Sequence, residues 1–110
     1  MDEFVLRLRC LPGAFGRPLV AALLLLVGCA TAPVQEMSDA RQALLAAEEA
    51  GATEYASATL AHARAYLGRA EQALAVQEFD RAREQAELAQ AAAREARELA
   101  LERIQRQTRE

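Results

Sequence analysis

The chain has 110 residues, a formal net charge of −3 and no Lys, so that all 13 basic residues are Arg. This length allows one domain at most. Arg and Glu are interspersed without a basic block, which excludes nucleic acid as an expected partner. About a quarter of the residues are Ala, a bias that predicts long helices or coiled coils.

The segment 1–28 is predicted to be a lipoprotein signal peptide. Its apolar core is well short of the ~20 residues that span a bilayer, and it follows a leader that contains Arg. The core ends in Leu26, Val27, Gly28 and Cys29, which resemble the bacterial lipobox. The resemblance implies that the Cys29 thiol receives a diacylglycerol and that signal peptidase II cleaves between Gly28 and Cys29. The freed amine is then acylated, with palmitate as the expected fatty acid.

The residues after Cys29 also predict the membrane in which the protein is anchored and the segment that joins the anchor to the domain. Ala30 stands where an Asp tends to retain such proteins at the inner membrane, so the resemblance implies the outer membrane, facing the periplasm. Residues 29–36, with Pro33, are predicted to be a lipidated tether without regular structure. Cys10 lies in the segment expected to be removed, so we expect neither a disulfide nor a thiol metal site.

Residues 37–110 are predicted to form an alanine-rich helical domain of the all-α class. Its first, shorter helix covers about 38–50, with Ser38 as N-cap and Gly51 at the C′ position. Small and apolar residues recur along this helix at steps of three and four, which predicts one buried stripe. The stripe consists of Ala40, Leu44, Ala47 and either Ala50 or Gly51.

A second helix is predicted over about 57–76, with Thr53 or Ser57 available as its cap. Its apolar residues follow a heptad pattern, namely Leu60, Ala63, Leu67, Ala70 and Leu74. Gly68 interrupts this helix and destabilises it by ~1 kcal/mol. Its missing side chain would also allow a neighbour to approach closely.

A third helix over about 80–107, capped by Asp80, is predicted to form an antiparallel hairpin with the second. Its apolar stripe consists of Phe79, Ala82, Ala86, Ala89, Ala93, Ala96 and Ala100. Small side chains let two helices approach near the lower end of the usual interaxial range. We place a break at Gln77–Asp80 because Phe79 starts this new stripe. One continuous helix of about 50 residues is the alternative, since no Gly or Pro marks the break.

The rest of the third helix is predicted to be a solvated face. Oppositely charged residues recur four positions apart, at Arg83–Glu87, Arg94–Glu98 and Glu102–Arg106. Four apolar residues lie off the stripe, namely Leu88, Leu99, Leu101 and Ile104. We expect them to meet the first helix, a second copy or a partner protein.

Four short sequence patterns lie between residues 36 and 105. They are Ala40-Arg-x-Ala, Tyr55-Ala-Ser-x-x-Leu60, Leu67-x-x-Ala-x-x-Ala-Leu74 and Phe79-Asp-x-Ala82-x-x-x-Ala86-x-x-Ala89. Together they resemble a family of small alanine-rich bacterial outer-membrane lipoproteins with an uncharacterised domain. That domain is often found N-terminal to an OmpA-type peptidoglycan-binding domain. The resemblance therefore implies an envelope protein and assigns no activity.

No constellation of residues supports catalysis, and we expect the protein not to be an enzyme. His62 is the only histidine and has no cysteine or clustered carboxylates beside it, so we expect no metal site. The acidic residues at 48–49, 84–87 and 95–102 lie in no apolar pocket that would support acid–base catalysis. The lipid on Cys29 is the only prosthetic group that we expect.

Three functions are consistent with these features. The first is a lipid-anchored structural or protein-interaction module that self-associates or binds an envelope partner. The second is a small periplasmic chaperone that holds an apolar ligand or peptide against Tyr55, Tyr66 and Phe79. The third is an oligomeric coiled-coil stalk comparable to the major murein lipoprotein. The sequence ends in Arg109 and Glu110 rather than Lys, so we expect no covalent link to peptidoglycan.

Overall fold

A computed structural model describes residues 32–110, and for this part of the chain the predicted all-α class is confirmed. Its helices are α1 (Val34–Glu49), α2 (Ala52–Tyr55), α3 (Ser57–Ala75) and α4 (Phe79–Arg109). At 1.5 Å per residue, α1, α3 and α4 are about 24, 28 and 46 Å long, whereas α2 is a single turn. The predicted hairpin is formed by α3 and α4, and α1 is the predicted shorter helix before it.

The first helix begins four residues earlier than predicted, at Val34. Two features explain this early start. Pro33 precedes the helix and has no N–H that needs a hydrogen-bond partner, and Met37 in the first turn is buried by tertiary packing. Ser38 is therefore not the N-cap. It lies inside α1, where its hydroxyl accepts a hydrogen bond from Gln42 Nε2 at 3.4 Å. The last three residues of the predicted tether belong to α1, so the prediction of a tether was wrong for them.

Gly51 ends α1 as predicted. Its φ of 92° lies in the left-handed region, where Gly has no steric penalty, and its N–H donates to Glu48 O at 3.0 Å. The following turn contains the one-turn helix α2, and α3 starts after Ala56. No side chain caps α3, so the caps predicted at Thr53 and Ser57 were wrong.

The predicted break between the second and third helices is confirmed, and the alternative of one continuous helix is wrong. At the end of α3, Glu78 N–H donates to Ala73 O at 2.9 Å and Gln77 N–H donates to Leu74 O at 3.0 Å, which is a Schellman motif. Gln77 takes the C′ position with a φ of 62°, a conformation uncommon outside Gly. The next helix starts without a side-chain cap, so the role predicted for Asp80 was wrong.

The three long helices pack together, with α3 antiparallel to α1 and α4. Glu36 near the start of α1 pairs with Arg83 near the start of α4. A Cβ placed on Gly51 would lie 3.5 Å from Ile104 near the other end of α4, so α1 and α4 run in the same direction. Two ion pairs join α1 to α3 in reversed order, namely Arg41–Glu71 and Glu48–Arg64.

The core between these helices consists almost entirely of Ala. Besides Pro33, sixteen hydrophobic side chains are buried within residues 32–110, and thirteen of them are Ala. The other three are Met37, Leu44 and Leu60. The same part of the chain buries no polar or charged residue. Because Ala ends at Cβ, α4 can lie close to both of its neighbours.

The predicted stripe of α4 is confirmed for its six Ala residues, which are all completely buried: Ala82, Ala86, Ala89, Ala93, Ala96 and Ala100. On α3, Leu67 and Leu74 of the predicted stripe are only partly buried, at the edge of the core. Off the stripe, Leu99 packs against the core, whereas Leu88 and Leu101 are each 39% exposed. The predicted heptad on α3 therefore marks the buried face less sharply than the stripe on α4.

Candidate functional site

The predicted lipobox, Leu26 to Cys29, lies outside the residues that the structure describes. The described chain starts at Ala32 and packs against the domain at once. The Pro33 side chain is fully buried, and the Pro33 carbonyl accepts a hydrogen bond from Met37 N–H at 3.0 Å. Val34 N–H donates to Ala32 O at 2.8 Å. Only Ala30 and Thr31 lie between Cys29, the predicted attachment point, and the first residue that the structure describes.

Ala32–Glu36 and Val76–Asp80 form one end of the helical domain, which we call the proximal end. Val34 and Val76 at this end are 72% and 65% exposed, the highest values among the exposed large hydrophobic side chains of the described residues. An exposed Gln follows each of these valines in the chain. Each exposed valine is thus followed by a polar but uncharged residue.

Arg side chains pair with the acidic residues of the proximal end. Arg83 bridges two helices, since its Nε lies 3.1 Å from Glu36 Oε1 and its Nη1 lies 3.5 Å from Asp80 Oδ1. Arg81 Nη1 lies 3.4 Å from Glu78 Oε2. These pairs reduce the negative field around the exposed valines.

The ion pairs on α4 differ from those that the sequence predicted. Of the three predicted i,i+4 pairs, only the one between Glu102 and Arg106 forms. Arg83 pairs with Glu36 on α1 instead of its neighbour on α4, and Arg94 donates to a Gln side chain at 3.4 Å. The Arg83–Glu36 contact was missed because its partners lie 47 positions apart, and no local pattern connects them.

The three aromatic residues considered for ligand stacking do not come together. Tyr55 lies at the end of the domain opposite the proximal end, where its hydroxyl donates to Gln107 Oε1 at 3.1 Å. Tyr66 lies on α3, with the guanidinium of Arg69 5.5 Å from its ring centroid. Phe79 lies at the proximal end, so roughly the length of α3, about 28 Å, separates it from Tyr55.

Two shallow depressions on the described surface are open to solvent and lined largely by polar residues. One lies between α1 and α4 and is lined by Asp39, Gln42, Ala43, Ala46, Arg94 and Arg97. The other lies beside the α3–α4 turn and is lined by Arg69, Gln72, Ala73, Val76, Glu78 and Arg81. Sites for small molecules are usually apolar and enclose most of the ligand, and neither depression has that character.

The candidate groups for metal or acid–base chemistry are dispersed over the surface. His62 is exposed, as are the acidic residues of α4. Between residues 32 and 110, no three His, Cys, Asp or Glu side chains are grouped so that they could hold a metal ion. In the same range, no helix combines the length and the apolar character needed to cross a membrane.

Comparison with known proteins gives a family without an assigned activity. Neither a curated protein nor a solved structure matches the chain. One family, the domain of unknown function DUF4398, matches residues 35–110, which include all of the described helices except the first residue of α1. The match covers more than half of the chain, and the chain therefore belongs to the family of the domain of unknown function DUF4398.

Proposed function

We propose that this chain is a lipid-anchored protein of the bacterial outer membrane that faces the periplasm. Its helical domain acts there as a structural or protein-interaction module. The observation that carries the proposal is the lipobox, Leu26 to Cys29, at the end of a short apolar segment. Each buried CH₂ of an acyl chain contributes ~0.8 kcal/mol, and more than one chain is needed for stable attachment. A diacylglycerol on the Cys29 thiol and an acyl group on its amine meet that requirement.

The geometry of the domain supports interaction rather than small-molecule chemistry. Both depressions are open to solvent and lined by polar as well as apolar residues, and the acidic residues of α4 are exposed. Charged side chains on the outer faces keep the domain soluble beside a membrane and leave broad surfaces on which another envelope component can dock.

The two alternative functions have less support. A chaperone site built on Tyr55, Tyr66 and Phe79 would need these side chains to converge, and they lie at separate places along the domain. A coiled-coil stalk would need the Ala stripe of α4 to pair with a second copy. That stripe is already covered by α1 and α3, as the complete burial of Ala93 and Ala96 shows.

The anchor is tested by two serine substitutions in the full chain. We expect Cys29→Ser to abolish the lipid mass on the purified protein and to release the protein from the membrane fraction. Cys10→Ser is the matched control, because it removes the other cysteine and should leave both properties unchanged. Firm membrane attachment of Cys29→Ser would contradict the proposal.

Two further measurements address location and role. On a density gradient, the native chain should co-sediment with outer membranes, and Ala30→Asp should move it toward the inner membrane. Crosslinking in cells, followed by mass spectrometry, should recover an envelope protein or a second copy of the chain. Recovery of neither would count against the interaction role.

A further inference from the structure

We propose that the proximal end of the domain rests on the surface of the same bilayer that holds the acyl chains of Cys29. This inference rests on the proposed lipid anchor and adds a second contact with the membrane. It also fixes which end of the domain faces the lipid.

The length of chain between the anchor and the domain limits where the domain can be. Among residues 32–110, Pro33 is the first that is fully buried, and it lies four residues after Cys29. A chain spans at most about 3.3–3.6 Å per residue, so these two residues are no more than ~14 Å apart. That reach is about a third of the length of α4, ~46 Å. The start of α1, at the proximal end, must therefore remain close to the lipid headgroups.

The side chains at the proximal end suit that position. Val34 at the start of α1 and Val76 at the end of α3 are exposed at the same end, although they lie on different helices. Exposed aliphatic side chains favour the boundary between headgroups and acyl chains. The same depression that Val76 lines also contains Arg69, whose guanidinium group can pair with lipid phosphates. Aliphatic and cationic side chains at one end can thus contact both the acyl chains and the phosphates of a lipid surface.

The charges of the proximal end are compatible with anionic lipid. Its acidic residues are Glu36, Glu78 and Asp80, and each is paired with Arg81 or Arg83. Unpaired carboxylates at this end would be repelled by anionic headgroups, and the pairing weakens that repulsion.

The opposite end of the domain has a different character. Beyond Ile104, the last turns of α4 carry exposed polar and charged residues. Among residues 32–110, the exposed large hydrophobic side chains away from the proximal end lie on the sides of the domain, at Leu45, Leu88 and Leu101. The membrane contact therefore directs the end of α4 away from the bilayer.

Single tryptophans provide a direct test, because the chain contains no Trp. Val76→Trp and Val34→Trp report on the proximal end, Leu45→Trp reports on the side of α1, and Thr108→Trp reports on the opposite end. Each variant is expressed from the full sequence, and the lipidated protein is purified and reconstituted into vesicles of phosphatidylethanolamine and phosphatidylglycerol, with and without brominated acyl chains. Far-UV circular dichroism verifies that each variant is folded.

We expect Val76→Trp and Val34→Trp to show blue-shifted emission and to lose most of it in brominated vesicles. Emission from Thr108→Trp and Leu45→Trp should change little. If the lipidated protein floats with the vesicles but the proximal-end reporters are quenched no more than Thr108→Trp, the membrane contact is refuted and the anchor stands. Quenching of Leu45→Trp alone would also refute it, since the domain would then lie on its side. A chain without lipid would overturn both this inference and the proposed function.

Discussion

The substitution Ala89→Glu tests whether the Ala stripe of α4 holds the domain together. Ala89 is completely buried in a cluster with Met37, Ala40, Ala70 and Ala86, which come from all three long helices. Beyond the Cβ that Ala already has, Glu adds a methylene and a carboxylate at the point where these helices meet. Between residues 32 and 110, no polar or charged residue is buried that could pair with that carboxylate.

Two costs determine the expected loss of stability. Extra methylenes in a filled core typically cost about 1–3 kcal/mol. An uncompensated buried charge costs about 3–5 kcal/mol. The lower bounds together give about 4 kcal/mol, and at about 4–8 °C per kcal/mol for a domain of this size Tm should fall by at least ~15 °C. That loss approaches the whole stability of many small domains, about 5–15 kcal/mol.

Thermal unfolding of residues 30–110, followed by far-UV circular dichroism, measures this loss. Ala91→Glu is the matched control, because Ala91 is exposed on the same helix and the same charge is added. A surface substitution of this kind usually changes stability by less than about 0.5 kcal/mol. If both variants melted at the same temperature, the Ala stripe could not be the face of α4 that packs against α1 and α3.

Three smaller predictions concern backbone conformation. Urea unfolding measures the stability change in each case, and the m-value should stay unchanged. Gln77→Gly should raise stability by about 0.5–1 kcal/mol. The Gly relieves the left-handed strain at φ 62°, and the added entropy of the unfolded chain offsets part of that gain. A loss of stability would contradict the left-handed conformation of Gln77. Gly51→Ala should lower stability by about 1 kcal/mol or more, because φ is 92° there; a neutral effect would show that the left-handed turn is not required. Gly68→Ala should add about 1 kcal/mol, since a Cβ at Gly68 meets nothing within 4 Å and Ala favours the helix; a destabilised variant would reveal a close neighbour.

The sequence predicts the helical architecture well because the core is periodic. Ala recurs at steps of three and four along α4, and this spacing alone identifies its buried face. Gly51 was also predicted correctly, because a Gly after an apolar stripe is a strong signal for the end of a helix. The break before α4 was predicted from the new stripe that starts at Phe79.

The remaining features depend on tertiary contacts that leave no local pattern. The early start of α1 follows from the burial of Pro33 and Met37 against the other helices. Gln77 in a left-handed conformation replaces the Gly that sequence rules expect, so the type of turn could not be predicted. The candidate site was predictable only in part, because the exposure of Val34 and Val76 at one end requires the packing of α1 beside the α3–α4 turn.

The thirteen Ala residues that are buried between residues 32 and 110 also determine how the domain should respond to temperature. Ala has no side-chain rotamers to lose on folding, whereas a buried Leu or Met loses up to about 2 kcal/mol of conformational entropy. An Ala core also exposes little apolar area on unfolding, so the heat-capacity change per residue should fall below the usual ~12–15 cal/mol/K. The stability curve of this domain is then broad and flat, and its folded population changes little with temperature over a wide range below Tm.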